Sequence, residues 1–292
     1  MKHIAFFLLF ILLLSWFSGC VATNQADIAA TTLPVYEFTS RLCQGTGLTV
    51  TRLVTERISC LHDYTLQVQQ MRAIQSAQTV IISGAGLEEF LEDALNGAQN
   101  IVDASQGLSI LDSHHNHAHA QNHGHIHTED PHIWLSAENA KAMAYNICHG
   151  LQHLYPEHAE LFSSNLLLLN ADLDALQSYG EKMLGNLSCK ELVTFHDGFS
   201  YLAESFGLTI VKAVEEESGS EVSAAQLKEL ILLVQDHHLP AIFVESNGAT
   251  SAAEVIAAET GLPIFTLDMV MSGESYFDAM YHNIDTLREA LQ

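Results

Sequence analysis

The feature that most constrains the fold is an alternation of short β-prone runs and helical stretches, which occurs in two series along the chain. The first series predicts strands at residues 28–31, 48–54, 79–83 and 100–103, with helices at 35–43 and 87–95. The second predicts strands at 192–195, 209–214, 241–244 and 264–267, with helices at 199–206, 224–235, 251–259 and 276–291. Strands separated by helices of this length form βαβ units around a parallel sheet, so the predicted class is α/β.

A long helical stretch lies between the two series. It runs from Pro156 to about Leu184, with the proline at a favoured first-turn position. Its leucines are more numerous than one buried face needs, which predicts contact on two sides. At 1.5 Å per residue the stretch spans on the order of 40 Å, long enough for a rigid strut. We therefore expect an N-terminal lobe (20–155), a linking backbone helix (156–185) and a C-terminal lobe (186–292).

The first residues indicate export. Lys2 precedes the apolar run 4–17, which is too short to span a membrane and typical of a signal peptide, predicted here at 1–19. Residues 17–20 (FSGC) resemble the bacterial lipobox, which predicts lipid attachment at Cys20 and anchoring to the cell membrane. A soluble secreted (periplasmic) protein with an incidental Cys20 is the alternative.

The charge balance excludes one class of partner. The chain carries 11 Lys and Arg against 35 Asp and Glu, a formal net charge of −24. Such a surface repels phosphate backbones, so nucleic acid is not an expected partner. It attracts cations weakly, but solubility alone is sufficient to explain it.

The cysteines after Cys20 suggest disulfides rather than a metal ribbon. No C-x-x-C pair occurs among Cys43, Cys60, Cys148 and Cys189. An even number outside the cytoplasm favours disulfides, with three possible connectivities. Local bridges between Cys43 and Cys60 and between Cys148 and Cys189 are our expectation.

The hydrophobic pattern stops over residues 105–130. This stretch contains seven histidines: His114, His115, His117, His119, His123, His125 and His127. A tract this polar cannot bury a core, and it is expected to be a mobile loop.

Four residues next to predicted strands or helix entrances are candidate metal ligands: His62, His132, His196 and Asp268. Open α/β sheets place their ligand sites at strand ends, so these side chains are suited to form one site. Aspartates adjacent to the three histidines are candidates for orienting the imidazoles from behind: Asp63, Asp130 and Asp197. Capping of the loops is the alternative role for these aspartates.

Several segments resemble one known family. They are HDY (62–64), GxGLE (84–88), DPHxWL (130–135), TFHDGFxY (194–201), FVE (243–245), ETG (259–261) and LD (267–268). In this order they resemble the zinc and manganese substrate-binding proteins of bacterial ABC transporters, including the zinc-uptake proteins. The resemblance implies a monomer of two (βα)4-like lobes, with a membrane permease and an ATPase as partners. It also implies a metal bound between the lobes by His62 and His132 from one and His196 and Asp268 from the other.

Ligand chemistry favours Zn²⁺ as the transported ion. Neutral imidazole suits zinc, whereas carboxylates shift the preference towards manganese. A fourth protein ligand also leaves no open position for a catalytic water, and no H-E-x-x-H or G-x-S-x-G pattern occurs, so no enzyme is expected. A manganese or iron carrier, an extracytoplasmic zinc hydrolase and an adhesin are the alternatives.

The histidine tract resembles the His-rich loop of many zinc-binding members of this family. Weak multivalent capture of zinc near the main site, or sensing of abundant zinc, is the role that the resemblance implies. Flexible ligands lose conformational entropy on binding, so affinity per ion should be well below that of a preorganised site. A tolerated surface insertion is the alternative.

Overall fold

The computed structural model describes residues 26–57, 61, 64–112, 129–215, 222–246, 248 and 250–292. Several predicted features lie outside these residues: the signal peptide (1–19), Cys20, Cys60, His62, Asp63 and the seven histidines of residues 114–127. They stay predictions.

The first sheet contains four parallel strands. They are β1 (Ile28–Ala30), β2 (Val50–Arg52), β3 (Thr79–Ile82) and β4 (Ile101–Asp103), in the order β2-β1-β3-β4. The central strand β1 is completely buried. Strands covered on both faces are apolar throughout, which is why the sequence pattern located them.

In the described part of the N-terminal lobe, four α-helices accompany this sheet: α1 (Leu33–Leu42), α2 (Val68–Ser76), α3 (Glu92–Leu95) and α4 (Ala137–Leu154). The single helix predicted over 87–95 was wrong, because a 3₁₀ turn at Glu89–Leu91 precedes the one-turn α3. Glu88 turns its carboxylate inward, where it accepts hydrogen bonds from the hydroxyl of Thr31 and the backbone of Ser83. This tertiary contact fixes the chain at a point where the periodicity alone favoured a regular helix.

The long helix α5 (Ala159–Leu184) follows a 3₁₀ turn at Pro156–His158. At 1.5 Å per residue its 26 residues span about 39 Å. The prediction that its leucines make contact on two sides was wrong in part. Leu167 and Leu168 are 72% and 65% exposed, so only one stripe of the helix packs into the core.

The second sheet repeats the architecture of the first. Its strands β5 (Glu191–His196), β6 (Thr209–Glu215), β7 (Ile242–Glu245) and β8 (Ile264–Leu267) are parallel, in the order β6-β5-β7-β8. The helices around it are α6 (Ser200–Ser205), α7 (Ala224–Asp236), α8 (Ser251–Thr260) and α9 (Tyr276–Leu291).

The predicted fold class is therefore confirmed: two α/β lobes, each with a parallel sheet, joined by one long helix. In each sheet, the chain runs from one central strand to the edge strand on one side and from the other central strand to the edge strand on the opposite side. A crevice opens at the carboxyl ends of such strands, where open α/β folds bind ligands.

The two lobes share one hydrophobic core and are hydrogen-bonded to each other. Buried residues of both sheets and of α5 belong to the same cluster. Two buried groups of the N-terminal half reach the segment after β8: the indole N–H of Trp134 donates to Met269 O (2.8 Å) and the backbone N–H of Leu33 to Met271 O (3.0 Å). The hydroxyl of Tyr276 donates back to Trp134 O at 2.8 Å. The turn after β8 is therefore held by both lobes.

The expected bridge between Cys148 and Cys189 was wrong. Cys148 is buried within α4, whereas Cys189 precedes β5 by two residues, with its thiol 3.4 Å from Glu191 O. Both are free thiols, as is Cys43. The local pairing failed because α5 carries the chain from one lobe to the other between Cys148 and Cys189.

Among the described residues, no helix combines the length and the apolar character needed to cross a bilayer.

Candidate metal centre

His132 is fixed by the aspartate two residues before it. The Asp130 carboxylate accepts from the backbone N–H of His132 (3.0 Å) and lies 2.8 Å from Nδ1 of the same residue. Burial raises the pKa of Asp130, but the hydrogen bonds and charge of His132 outweigh it, so the pKa lies below the usual value. The ionised carboxylate therefore accepts from Nδ1–H. This leaves Nε2 as the lone-pair nitrogen, buried and without a hydrogen-bond partner among the described residues.

His196 is the last residue of β5, and a carboxylate stands behind it as well. Strand β7 pairs with β5 through Thr194 and Phe243. Two residues further on, His196 and Glu245 project from the same face, because side chains repeat every second residue. Glu245 Oε2 lies 3.7 Å from His196 Nδ1, and both side chains are buried.

The two imidazoles meet at the boundary between the lobes. Their ring centroids are 5.3 Å apart with an interplanar angle of 84°. A Cβ atom at Gly198 would lie 2.8 Å from His196 Cδ2 and 2.9 Å from His132 Cε1. Both rings therefore present to Gly198 an edge that borders Nε2, and the missing side chain provides the space between them.

Asp268 follows β8 and belongs to a tightly bonded turn. The buried Asn283 of α9 accepts from the Asp268 N–H and donates to its carbonyl, both at 2.8 Å. Asp268 Oδ1 accepts from the N–H of Val270 at 2.6 Å. Val270 has φ 59°, a left-handed conformation that strains a β-branched residue and that its buried surroundings must enforce.

The structure brings together two of the four predicted ligands, His132 and His196. Within the described ranges, no three His, Cys, Asp or Glu side chains are close enough to hold a metal ion. Asp268 therefore does not complete a three-ligand group with them, and His62 lies outside the described residues. The four-ligand set remains a prediction.

The three aspartates that were predicted to orient the imidazoles have different outcomes. Asp130 contacts His132 as described above, Asp197 is buried directly after His196, and Asp63 lies outside the described residues. Glu245 belongs to the FVE segment (243–245), but no role was predicted for it. The sequence shows that Glu245 lies at the end of a buried strand, but it does not show that this strand, β7, pairs with β5.

Two α/β lobes with paired histidines at their boundary define the class of two-lobed solute-binding proteins. Residues 28–290 match the family described as zinc-uptake complex component A, periplasmic (ZnuA). The chain therefore belongs to this family, whose members are metal-binding solute-binding components of bacterial metal ABC transporters and not enzymes, which implies a permease and an ATPase as partners.

Two curated relatives illustrate the match. A protein of Treponema pallidum (strain Nichols) described as metal-binding is 29% identical over 282 residues, covering 92% of this chain and 88% of its own length. The zinc-binding lipoprotein AdcA of Streptococcus pneumoniae (strain ATCC BAA-334 / TIGR4) is 28% identical over 291 residues, or 93% of this chain. The chain spans only 58% of that AdcA's length.

Solved structures agree with this fold. A crystal structure of ZnuA has a TM-score of 0.78 at 25% identity and covers 91% of this chain and 100% of its own. The Zn(II)-bound ZnuA-like domain of Streptococcus pneumoniae AdcA has a TM-score of 0.75 at 26% identity, covering 91% and 99%. The FpvC protein of Pseudomonas aeruginosa, in complex with Mn²⁺, has a TM-score of 0.80 at 23% identity and covers 92% and 99%, and it supports the fold alone.

Proposed function

We propose that this protein binds Zn²⁺ with high affinity outside the cytoplasm and delivers it to the permease of its ABC transporter. The observation that carries the proposal is the pair of buried histidines at the lobe boundary, one on each side, with a carboxylate behind each ring. The Nε2 atom of His132 is buried and has no hydrogen-bond partner among the described residues. A cation that binds its lone pair would compensate for this burial.

The proposed ligands are His62 and His132 from the N-terminal lobe and His196 and Asp268 from the C-terminal lobe. Three neutral imidazoles and one carboxylate suit a closed tetrahedral zinc site. With four protein ligands no position remains for a reactive water, as expected for a carried ion. A turn strained at Val270 fixes the path of the segment that carries Asp268.

Zinc is preferred over manganese because of the ligand atoms. Manganese favours oxygen ligands, whereas this pair is nitrogen-based and buried. The relatives named zinc-binding and the zinc-bound solved domain support the same choice.

Membrane attachment and the histidine tract complete the proposal. Cys20 would carry the lipid anchor once residues 1–19 are removed, as the name of the pneumococcal relative suggests. The lobes would comprise residues 20–155 and 186–292, with 156–185 between them. The seven histidines of residues 114–127 would serve as a weaker auxiliary zinc store beside the main site.

Metal competition tests the proposal. The chain is stripped with chelator and titrated with zinc and with manganese against a chromophoric chelator, alongside H196A. We expect one tight zinc site, weaker manganese binding, and a loss of zinc affinity of at least about 100-fold in H196A, because a ligand is removed. His158 lies in the 3₁₀ turn before α5, is only partly exposed and provides the control, so H158A should bind zinc as the wild type does. Tighter manganese binding would favour a manganese carrier, and full zinc affinity in H196A would remove this histidine from the site.

A further inference from the structure

Each histidine of the pair has a carboxylate beside its Nδ1 atom, but the two carboxylates have different origins. Asp130 lies two residues from His132 and contacts it within one local turn. Glu245 is 49 residues from His196 and reaches it only because β5 and β7 are neighbours in the sheet. The second contact is therefore a product of the fold rather than of the local chain.

The environment of Glu245 directs its side chain towards His196. Its side chain is buried at the carboxyl end of β7. The turn that follows leaves room through Gly248, where a Cβ atom would lie 2.4 Å from Glu245 Cγ and 2.7 Å from Oε1. Any other residue at position 248 would force the carboxylate to move. The absence of a side chain at Gly248 thus leaves space for the Glu245 side chain beside the imidazole.

The contact is to one specific nitrogen. Glu245 Oε2 is 3.7 Å from Nδ1 of His196, whereas the Cδ2 edge of the ring, which borders Nε2, faces Gly198 and His132. Since Nδ1 and Nε2 point away from each other across the ring, a carboxylate behind Nδ1 cannot share a metal ion with Nε2. A proton on Nδ1 is favoured by the adjacent negative charge, and the lone pair then resides on Nε2.

We infer that Glu245 is the positioning residue of His196: its buried carboxylate holds the imidazole in the Nδ1–H tautomer and aims Nε2 at the metal ion. The inference rests on the proposed function. Each lobe then has a carboxylate–histidine unit. Asp130 and His132 form theirs within one turn, and Glu245 and His196 form theirs across two strands. Residues that orient metal ligands in this way typically affect metal affinity by 10- to 100-fold.

The test combines affinity with a direct reading of the tautomer in the otherwise intact chain. E245Q retains the size of the side chain and removes its charge. We expect zinc affinity to fall by about 10- to 100-fold. In the wild type stripped of metal, imidazole ¹⁵N NMR should show His196 predominantly as the Nδ1–H tautomer. The metal-stripped E245Q variant should lose this preference.

A matched control is available on β5, the strand that carries His196. Glu191 begins β5 and pairs with His237 Nδ1 at 2.9 Å, but that pair is partly exposed and remote from the lobe boundary. E191Q removes the same charge from the same kind of pair, and it should leave both zinc affinity and the His196 tautomer unchanged.

A double variant separates positioning from other roles. If Glu245 acts through His196, E245Q should cause little further loss of zinc affinity in an H196A background. An equal loss in both backgrounds would overturn the inference, because Glu245 would then act independently, as a ligand or through the fold. Unchanged affinity in E245Q, or an Nε2–H tautomer in the wild type, would also overturn it. The wild-type spectrum decides even if E245Q fails to fold. If H196A itself binds zinc normally, the proposed function fails instead.

Discussion

Adding one methyl group at Gly198 should damage the metal site directly. The new Cβ would lie 2.8 Å from His196 Cδ2, 2.9 Å from His132 Cε1 and 2.5 Å from Met269 Cε. Carbon atoms pack best at about 3.5–4.0 Å, so each ring must retreat by roughly 0.6 Å or more. Met269 contributes a flexible methyl end that can move, whereas each imidazole has a buried carboxylate beside its Nδ1 atom.

The displacement is large compared with the tolerance of a zinc site. Zn–N distances are about 2.0–2.1 Å, and a shift of more than about 0.2 Å breaks acceptable coordination. We therefore expect G198A to weaken zinc binding by on the order of 100-fold, with overpacking costing about 1–3 kcal/mol of stability. Chelator competition and thermal unfolding of the metal-stripped protein measure the two effects separately.

Gly97 supplies a matched control for this variant. A Cβ there meets only Ala94 O at 3.5 Å and Gln75 Cγ at 4.0 Å, which are ordinary contacts. G97A should change neither zinc affinity nor stability appreciably. Wild-type zinc affinity in G198A would refute the reasoning, because the ion could not then bind between the two ring edges that face Gly198.

Three further perturbations test other parts of the structure. Burial raises the pKa of Glu88 from 4.5 to about 7, so its contribution to stability is present below pH 4.5 and is lost as the pH rises through 7. At 1.36 kcal/mol per pKa unit the loss is roughly 3 kcal/mol, and denaturant unfolding should show it in the wild type but not in E88Q; identical pH profiles would contradict this. The buried hydroxyl of Tyr201 accepts from the N–H of Leu111 (2.8 Å) and donates to Asp130 O (3.0 Å), so Y201F should lower stability by about 1–3 kcal/mol and accelerate amide exchange at Leu111; unchanged exchange would argue against the bond. Deleting residues 114–127 should keep one tight zinc site and lower total zinc stoichiometry, and loss of the tight site would refute the auxiliary role.

The sequence pattern was sufficient for the central strands of the first sheet because they are largely buried. The run Thr79–Ile82 therefore coincides with a strand. It was insufficient where tertiary contacts override local periodicity. The inward-turned carboxylate of Glu88 breaks up the helix expected over 87–95, and Leu167 and Leu168 face solvent although composition favoured their burial.

The same distinction applies to the candidate site: local contacts could be predicted from the sequence, and contacts between strands could not. His132 and its partner Asp130 are two residues apart, so sequence reasoning could propose their contact. Glu245 becomes a neighbour of His196 only through the strand order β6-β5-β7-β8. No local pattern encodes that order, and the carboxylate behind the second histidine was therefore missed.

Anomalous diffraction from a crystal of the zinc-loaded protein tests the central claim most directly, because it locates the ion without assuming its ligands. We expect one strong zinc peak at the boundary between the lobes, about 2.0–2.1 Å from Nε2 of both His132 and His196. A principal peak elsewhere, or one that contacts only one of these two histidines, would contradict it.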